Sequence, residues 1–343
     1  MTASNPSDGQ SLAAPVIAWF RVNARDLPWR RPGFTPWGTL VSEFMLQQTP
    51  VSRVIPRLNE WLERWPTPGD LAASSPGDAV RAWQSLGYPR RALWLHAAAV
   101  AIVSRHAGVV PRDVDALLAL PGVGDYTARA VAAFAYGDRH PVVDTNIRRV
   151  IARAIDGNAE PGPPSSRLDL AAMSALLPAE RAEARAFNAG MMELGALVCT
   201  ARAPLCEVCP LSAQCAWRAK GYPGFTGKRK AVQKKYEGSD RQVRGLILAT
   251  LRANHTDGAD TRVQVASPSL SPSPSHSLSL SPSPSEDTPV GAQTGVQAGV
   301  PAAQLEALWP DRQQFTRALA GLLADGLARE TPTGFTLPGH AEP

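Results

Sequence analysis

Residues 199–215 read CTARAPLCEVCPLSAQC and contain every cysteine of the chain. The ligand candidates, spaced C-x6-C-x2-C-x5-C, are Cys199, Cys206, Cys209 and Cys215. Four thiolates in one short loop can bind a tetrahedral metal ion or an iron–sulfur cluster. Zinc loops usually contain two C-x2-C pairs, whereas this loop contains one. The unequal spacing therefore favours one [4Fe–4S] cluster, with zinc and an unligated role as the alternatives.

The composition around this loop is that of a folded chain with a slight excess of basic residues. The length of 343 residues allows two or three domains, and 44% hydrophobic against 19% charged residues allow most of the chain to bury a core. The 35 Lys and Arg exceed the 30 Asp and Glu, which is compatible with a polyanionic partner. The polar start MTASNPSDGQ lacks an apolar signal segment, and no apolar run reaches the roughly 18 residues of a membrane span. We therefore expect a cytoplasmic protein, neither secreted nor in a membrane, in which disulfides would be unusual.

The chain up to the cysteine loop is predicted to be all-α. Apolar residues in 113–120, 127–136 and 147–155 recur at i, i+3 and i+4, as they do on one face of a helix. Proline and glycine separate these segments, for example at Pro121 and Gly122. Because residues 11–219 contain no convincing alternation of polar and apolar residues, we expect a body of about ten helices there.

The remainder of the chain changes character along its length. Basic residues accumulate between residues 216 and 244, and a helix is predicted at 241–252. Residues 254–300 contain the tract SPSLSPSPSHSLSLSPSPSEDTP, whose composition is typical of disordered linkers. Beyond it we predict two helices and a short strand, at 302–309, 313–329 and 334–337. That order suits a winged helix, and a small helical tail is the alternative.

A glycine-rich turn, LPGVG at 120–124, lies between two helical patterns. Gly122 and Gly124 allow a left-handed backbone and a close approach to a ligand. The backbone N–H groups of such a turn, with the N-terminus of the next helix, form a site for an anion. Taken alone, such a turn more often is an ordinary helix–helix turn. With the cysteine loop downstream, it favours binding of a DNA phosphate without reading of the base sequence.

Four segments upstream of the cysteines carry a specific resemblance. They are WGTLVSEFMLQQTPVSRV at 37–54, LPGVGDYTARAV at 120–131, VDTNIRR at 143–149 and FNAGMMELGALVC at 187–199. Together with the cysteine spacing they resemble the helix-hairpin-helix DNA glycosylases, the superfamily of endonuclease III, and within it the MutY-type adenine glycosylases. The resemblance covers about residues 15–217.

The resemblance implies two helical domains with the active site in the cleft between them. We expect an N-terminal segment at 1–30 packed with the cluster domain, a six-helix domain with the hairpin at 31–143, an iron–sulfur cluster domain at 144–219, a basic segment and helix at 220–253, a disordered linker at 254–300 and a small helical or winged-helix part at 301–343. Longer family members end in a Nudix-type domain that contacts 8-oxoguanine. Residues 220–343 without the linker are too few for that domain.

Glu43 is the candidate general acid. It lies in the nearly apolar stretch LVSEFML at 40–46, where burial raises the pKa of a carboxyl group and keeps it protonated near neutral pH. A glutamate on a solvated helix face is the alternative. Cleavage of a glycosidic bond can use one protonated and one ionised carboxyl group. By the resemblance, Glu43 is the acid that protonates adenine at N7.

Asp144 is the candidate second carboxylate. It directly precedes a predicted helix, and the N-terminus of a helix favours an ionised cap residue. A plain helix cap is the alternative. By the resemblance, Asp144 stabilises the oxocarbenium ion, either as a charge or through a transient adduct at C1′. Asn146 matches a residue that supports this site and Arg149 one that lies between the site and the cluster loop, with an exposed helix face as the alternative for both.

Residues 1–219 contain no lysine. Bifunctional relatives use a lysine of the second hairpin helix to form a Schiff base with C1′. The resemblance places Tyr126 at that position, so we expect a monofunctional enzyme that stops at base release. Tyr126 is expected near the extruded base, and a partly buried aromatic residue without that contact is the alternative.

Two side chains are expected to enter the duplex. By the resemblance, Gln48 fills the space near the orphan base and Tyr88 wedges beside it. The family usually has a second aromatic residue after Tyr88, where this chain has Pro89. Arg30 and Trp29 match residues that line the adenine pocket, although Trp29 suits the core equally well.

The sequence thus predicts an A/G-specific adenine DNA glycosylase that starts base-excision repair. Its expected partner is double-stranded DNA with A:8-oxoG or A:G mispairs, which it would bind as a monomer associated with the nucleoid. Such an enzyme must extrude its target base from the duplex. The alternatives are an endonuclease III-like glycosylase/lyase for oxidised pyrimidines, which Tyr126 argues against, and a non-catalytic DNA-binding iron–sulfur module, which has no need of Glu43 and Asp144.

Overall fold

The structure of the chain is a computed structural model that describes residues 12–227, 235–254 and 299–339. Helices dominate these ranges, so the all-α expectation is confirmed. The helices are α1 (Ala13–Asn23), α2 (Pro36–Leu46), α3 (Val51–Arg64), α4 (Pro68–Ala73), α5 (Pro76–Trp83), α6 (Arg90–His106), α7 (Val114–Leu118), α8 (Asp125–Phe134), α9 (Thr145–Ile151), α10 (Ser166–Leu176), α11 (Arg181–Leu197), α12 (Ala216–Ala219), α13 (Asp240–Ala253), α14 (Ala302–Glu306) and α15 (Arg312–Ala324).

Local sequence decides where several of these helices begin. At α4, the Thr67 side chain accepts from the backbone N–H of Asp70, and the Asp70 side chain accepts from the backbone N–H of Thr67. Ser75 and Asp78 repeat this reciprocal cap at α5. Both helices have proline in the first turn, where no intrahelical N–H bond is needed.

The larger apolar core lies among α2, α3, α5, α6 and α8. Leu40 and Phe44 of α2 are fully buried in it, and the indole rings of Trp61 and Trp83 meet edge to face with centroids 5.7 Å apart. Apolar side chains of α13 and α15, including Ile247 and Phe315, belong to the same cluster. The C-terminal helices therefore share a core with the body of the protein.

The smaller core joins the N-terminal helix to the elements around the cysteine loop. α1 packs along α11, and α11 packs along α9. Gly190 permits the first contact, because a Cβ atom at this position would lie 2.8 Å from Cγ1 of Val16. Phe187 and Met191 of α11 are fully buried in this core.

The C-terminal part ends in an antiparallel hairpin, β1 (Arg329–Thr331) and β2 (Gly334–Thr336), in which Glu330 lies opposite Phe335. Val300 forms an isolated antiparallel bridge with Phe335. The helix predicted at 313–329 ends at Ala324, because Gly326 adopts a left-handed φ of +68°. The helix predicted at 302–309 ends at Glu306. The predicted strand is thus one of two, and the winged-helix interpretation remains a proposal.

Several sequence predictions lie outside the described residues. They concern residues 1–11, the basic residues 228–234 and nearly all of the predicted linker, residues 255–298, which include the whole Ser/Pro tract. Within the described ranges, no helix is long and apolar enough to cross a membrane.

Candidate active site

Glu43 lies in the middle of α2, between the buried side chains of Ser42 and Phe44. Only 5% of the residue is exposed, and its Oε2 atom has no hydrogen-bond partner among the described residues. Burial raises the pKa of Glu43 to about 7, with a further rise from the charge of Asp144 and an opposing hydrogen bond from Tyr126. A carboxyl group in this setting can carry a proton at neutral pH and still give it up.

Asp144 forms the N-cap of α9, as the sequence predicts. Its Oδ1 accepts a hydrogen bond from the backbone N–H of Ile147 at 2.7 Å, and its Oδ2 accepts one from Nδ2 of Asn146 at 2.8 Å. These donors and the charge of Arg149 lower the pKa of Asp144, but burial has the larger effect and raises it above its ordinary value. The hydrogen bonds of the cap therefore lower the pKa of Asp144 by less than burial raises it.

Tyr126 lies in the first turn of α8 and faces both carboxyl groups. Burial, together with the negative charges of Glu43 and Asp144, raises the pKa of the phenol well above its ordinary value. The hydroxyl group consequently stays protonated and donates a hydrogen bond to Glu43. The structure thus brings together the three residues that the sequence analysis assigned to the chemistry.

Arg149 connects this site to the cysteine loop. Its Nη2 atom donates to Oδ1 of Asn146 and to the carbonyl oxygen of Gly195, each at 2.7 Å. Its Nε atom donates to the carbonyl oxygen of Cys199 at 2.7 Å. A Cβ atom at Gly195 would lie 2.7 Å from Cβ of Asn146, so the close approach of α9 and α11 requires glycine here.

The four cysteines, Cys199, Cys206, Cys209 and Cys215, line one pocket of about 310 Å³ together with Arg153 and Trp217. Burial raises the pKa of Cys209 to about 11. Nη1 of Arg153, which is buried, donates to Sγ of Cys199 at 3.4 Å. A positive charge beside this sulfur suits a bound thiolate.

The pocket has the ligand set of an iron–sulfur cluster. Each iron of a [4Fe–4S] cluster binds one cysteine, so the four thiol groups around the pocket match its four irons. The residues present therefore fit one [4Fe–4S] cluster.

The glycine-rich hairpin lies directly against the helix that carries Glu43. Gly122 has a φ of +74°, and a Cβ atom there would lie 2.6 Å from Cβ of Trp94 and 3.0 Å from Cε1 of Phe44. Gly124 is the N-cap of α8, and both glycines are exposed. The hairpin thus presents free backbone N–H groups of a helix N-terminus to solvent, beside the candidate acid.

Gln48 and Tyr88 lie in two exposed turns and share an unusual backbone conformation. Their φ angles are +55° and +48°, in the left-handed region that non-glycine residues rarely adopt. Such a conformation costs about 1–3 kcal/mol per residue and persists only where the surrounding structure enforces it. Half of the Tyr88 side chain, 53% by residue exposure, is open to solvent.

Arg30 forms an ion pair with a buried carboxylate, that of Glu193. Its Nη2 atom donates to Oε2 of Glu193 at 2.9 Å, and Nε of Arg25 donates to Oε1 of the same carboxylate at 2.8 Å. Only 1% of the Glu193 side chain is exposed, and the two arginines hold its pKa at about 2. Trp29 packs against the larger core. Glu193 is not among the residues predicted for the site, although an acid in the apolar stretch MMELG carries the same signal as Glu43.

Comparison with known proteins identifies the family of the chain. Residues 41–171 match the HhH-GPD superfamily base excision DNA repair proteins, and residues 199–215 match the iron–sulfur binding domain of endonuclease III. The chain is 47% identical over 329 residues to the adenine DNA glycosylase of Mycolicibacterium smegmatis, which spans 95% of this chain and 96% of that protein. The chain belongs to the adenine DNA glycosylase family.

Solved structures show that the fold of this glycosylase is that of the superfamily. A thermostable thymine-DNA glycosylase superposes with a TM-score of 0.56 at 28% identity, over 61% of this chain and 95% of that one. Endonuclease III in a non-covalent complex with DNA gives a TM-score of 0.55 at 24% identity, over 64% of this chain and 99% of that one. The predicted helix-hairpin-helix fold and the predicted cofactor are thereby confirmed. The match at residues 41–171 includes Glu43, Tyr126 and Asp144, and the second match includes all four cysteines.

Proposed function

We propose that this glycosylase hydrolyses the N-glycosidic bond of adenine paired with 8-oxoguanine or guanine in duplex DNA, the first step of base-excision repair. The observation that carries the proposal is the buried Glu43 carboxyl group, which interacts with Tyr126 and Asp144 and has a pKa of about 7. The adenine DNA glycosylases to which the chain is similar support the choice of base.

Glu43 acts as the general acid in this proposal. The protonated carboxyl group gives its proton to N7 of the extruded adenine, which makes the base a neutral leaving group when the bond to C1′ breaks. Water then attacks C1′, and the Glu43 carboxylate accepts a proton from that water. A pKa near the working pH suits both halves of this cycle.

Asp144 stabilises the positive charge that develops on the sugar. Its two oxygen atoms are fixed by Ile147 and Asn146, so the carboxylate needs no reorganisation during the reaction. Once Glu43 has lost its proton, the two carboxylates lie close together, and the oxocarbenium ion is the natural counter-charge. Asn146 and Arg149 are positioning residues in this scheme.

The reaction stops at the abasic site because the pocket offers no amine. Tyr126 takes the place of the Schiff-base lysine, and the first lysine of the chain, Lys220, donates from Nζ to the carbonyl oxygen of Asp156 at 2.9 Å. A phenol that stays protonated cannot attack C1′ as an amine does. We therefore propose a monofunctional enzyme.

DNA is held by groups on both sides of the acid. In the proposal, the backbone of Gly122 and Gly124 binds a phosphate, while Gln48 and Tyr88 enter the base stack. In the proposal, Arg30 supports DNA binding indirectly. It binds Glu193, and this contact orders the N-terminal segment against α11. We propose that the protein binds mispaired DNA as a monomer, in the cytoplasm at the nucleoid.

The iron–sulfur cluster has a structural role in the proposal. When bound by Cys199, Cys206, Cys209 and Cys215, it supplies the cross-link that orders the loop, and the base-release chemistry requires no electrons from it. We propose residues 31–143 as the hairpin domain and 144–219 as the cluster domain packed with 1–30. We propose that 220–253 and 301–343, on either side of the 254–300 linker, form one small winged-helix unit. Purified protein should contain about four irons per chain, and one zinc with no iron would contradict the assignment.

The proposed function is tested with a panel of duplexes carrying A:8-oxoG, A:G, A:C, T:G and thymine glycol. Release of adenine from the first two, with strand cleavage only after alkali, supports the proposal. Release of thymine glycol with cleavage before alkali would indicate an endonuclease III-like enzyme. Tight binding of A:8-oxoG without release of any base would indicate a non-catalytic module.

A further inference from the structure

A buried arginine connects the two turns that carry Gln48 and Tyr88. Arg91 is the second residue of α6, and only 3% of it is exposed. Its Nη1 atom donates to the carbonyl oxygens of Phe44 at 2.8 Å, Met45 at 3.3 Å and Gln47 at 2.6 Å. Its Nη2 atom donates to the carbonyl oxygen of Gly87 at 3.0 Å and to Oγ1 of Thr49 at 3.3 Å.

Each left-handed residue is bracketed by these contacts. Gln48 lies between Gln47 and Thr49, both of which Arg91 binds. Tyr88 follows Gly87, and its own carbonyl oxygen accepts the backbone N–H of Arg91 at 3.0 Å. The Thr49 hydroxyl also joins the two turns directly, because it donates to the carbonyl oxygen of Leu86 at 3.1 Å. One side chain therefore enforces the conformation of both turns and their separation.

The chemistry of arginine explains why this residue stands here. The guanidinium group has five donors in a rigid plane, so it can bind carbonyl oxygens from two turns, whereas a lysine has one nitrogen. The accepting carbonyls of Phe44 and Met45 are at the C-terminus of α2, where a cation is favoured. The guanidinium also lies over the rings of Trp83 and Tyr88, at 5.4 and 5.2 Å.

We infer that Arg91 is a positioning residue for base extrusion, which holds Gln48 and Tyr88 as one preformed wedge and fixes that wedge to the helix that carries Glu43. The inference rests on the proposed function, in which these two side chains enter the duplex. Because Arg91 is buried, it does not contact DNA itself. Its loss leaves the phosphate contacts intact and weakens the step in which the base leaves the stack.

The test compares a paired with an unpaired target. Adenine opposite 8-oxoguanine must be extruded, whereas the same adenine in a bubble of mismatched bases is already unstacked. In Arg91→Met, single-turnover release from the paired duplex should fall about 100-fold, the loss expected for a misplaced positioning group. Release from the bubble should fall less than about five-fold. Equal losses on both substrates, or no loss on either, would overturn the inference.

A second measurement does not depend on catalysis. In a Glu43→Gln background, 2-aminopurine next to the target adenine should brighten when the wild-type Arg91 is present and stay quenched with Arg91→Met. Affinity for undamaged duplex should be unchanged between the two proteins. A full fluorescence rise with Arg91→Met would also overturn the inference.

Two further variants control for general damage to the fold. Arg252→Met removes a partly buried arginine, whose Nε donates to the carbonyl oxygen of Val80 at 3.0 Å, and should behave as wild type in both assays. If Arg91→Met does not fold, Arg91→Lys carries the same comparison with the charge retained. A wild-type protein that releases no adenine from either substrate would contradict the proposed function, whereas an active wild type with equal losses contradicts only the role of Arg91.

Discussion

Arg149 donates a 2.7 Å hydrogen bond from Nε to the carbonyl oxygen of Cys199, the first cysteine of the cluster loop. The same guanidinium group binds Asn146, and Asn146 binds Asp144. The carboxylate proposed to face the sugar is therefore two hydrogen-bonded side chains away from the loop. A continuous chain of hydrogen bonds thus connects the loop backbone to Asp144.

We expect Arg149→Met to reduce adenine release without loss of the cluster. Single-turnover rates on A:8-oxoG duplex should fall about 10- to 100-fold, because Asn146 loses its partner and Asp144 its fixed orientation. Iron content measured on the same preparation should stay at about four per chain. Arg148→Met is the matched control, since Arg148 binds the carbonyl oxygens of Gly162 and Pro163 away from the site. Equal rates for the two variants would remove Arg149 from the scheme.

Substitution of either carboxyl group should reduce catalysis without weakening DNA binding. Glu43→Gln should abolish adenine release while affinity for A:8-oxoG duplex is retained, because the amide cannot donate an acidic proton. Asp144→Asn should raise the barrier by about 3–4 kcal/mol, the magnitude typical of a preorganised charge contact. Gel-shift and single-turnover assays on one preparation measure both quantities. A near-normal rate in either variant would contradict its assignment.

The rate of adenine release should fall as pH rises through the pKa of Glu43, about 7, because the protonated carboxyl group is the reactive form. The hydrogen bond from Tyr126 lowers that pKa, so Tyr126→Phe should move the alkaline limb of the profile to higher pH. Tyr136→Phe, which removes a hydroxyl bonded to the carbonyl oxygen of Val110 outside the site, should leave the limb in place. A downward shift in Tyr126→Phe would contradict the proposed hydrogen bond.

Burial of Glu43 should also make stability depend on pH. The folded-state pKa of about 7 lies above the ordinary value of 4.5, so the folded protein binds the proton more tightly than the unfolded chain. Stability is therefore lost as pH rises from 4.5 to 7. Glu43→Gln should remove this loss, worth about 3 kcal/mol. The gain in thermal midpoint should be larger at alkaline than at acidic pH, and an equal gain at both would contradict the raised pKa.

The basic segment should contribute affinity that depends on salt. Replacement of Lys228, Lys230, Lys234 and Lys235 by glutamine should weaken duplex binding and reduce the salt slope by as much as about three to four, if each contacts one phosphate. Point substitution is preferable to truncation, because α13 and α15 contribute to the main core. Lys220→Gln is the control, since its amine binds the backbone of Asp156. An unchanged slope would exclude the segment as a DNA contact.

Features that are local along the chain can be predicted from the amino-acid sequence. The spacing of the cysteines, the glycine hairpin and the proline-capped starts of α4 and α5 each depend on groups a few residues apart, so their signals lie in short windows. The apolar neighbours of Glu43 on its own helix likewise predict its burial. The presence of Tyr126 in place of a lysine is visible in the sequence itself.

Relationships between distant segments depend on the assembled fold. Arg30 and Glu193 are 163 residues apart, Arg91 joins residues 44–49 to its own turn, and α13 and α15 complete a core that begins at Trp37. The direction of the Asp144 pKa shift belongs to the same class. A cap is visible in sequence, but desolvation depends on every atom packed around the group, and those atoms come from separate elements. Burial is a property of the assembled fold. The sequence pattern therefore predicts which residues are the candidate acids, but it does not predict whether burial or the helix cap has the larger effect on the pKa of Asp144.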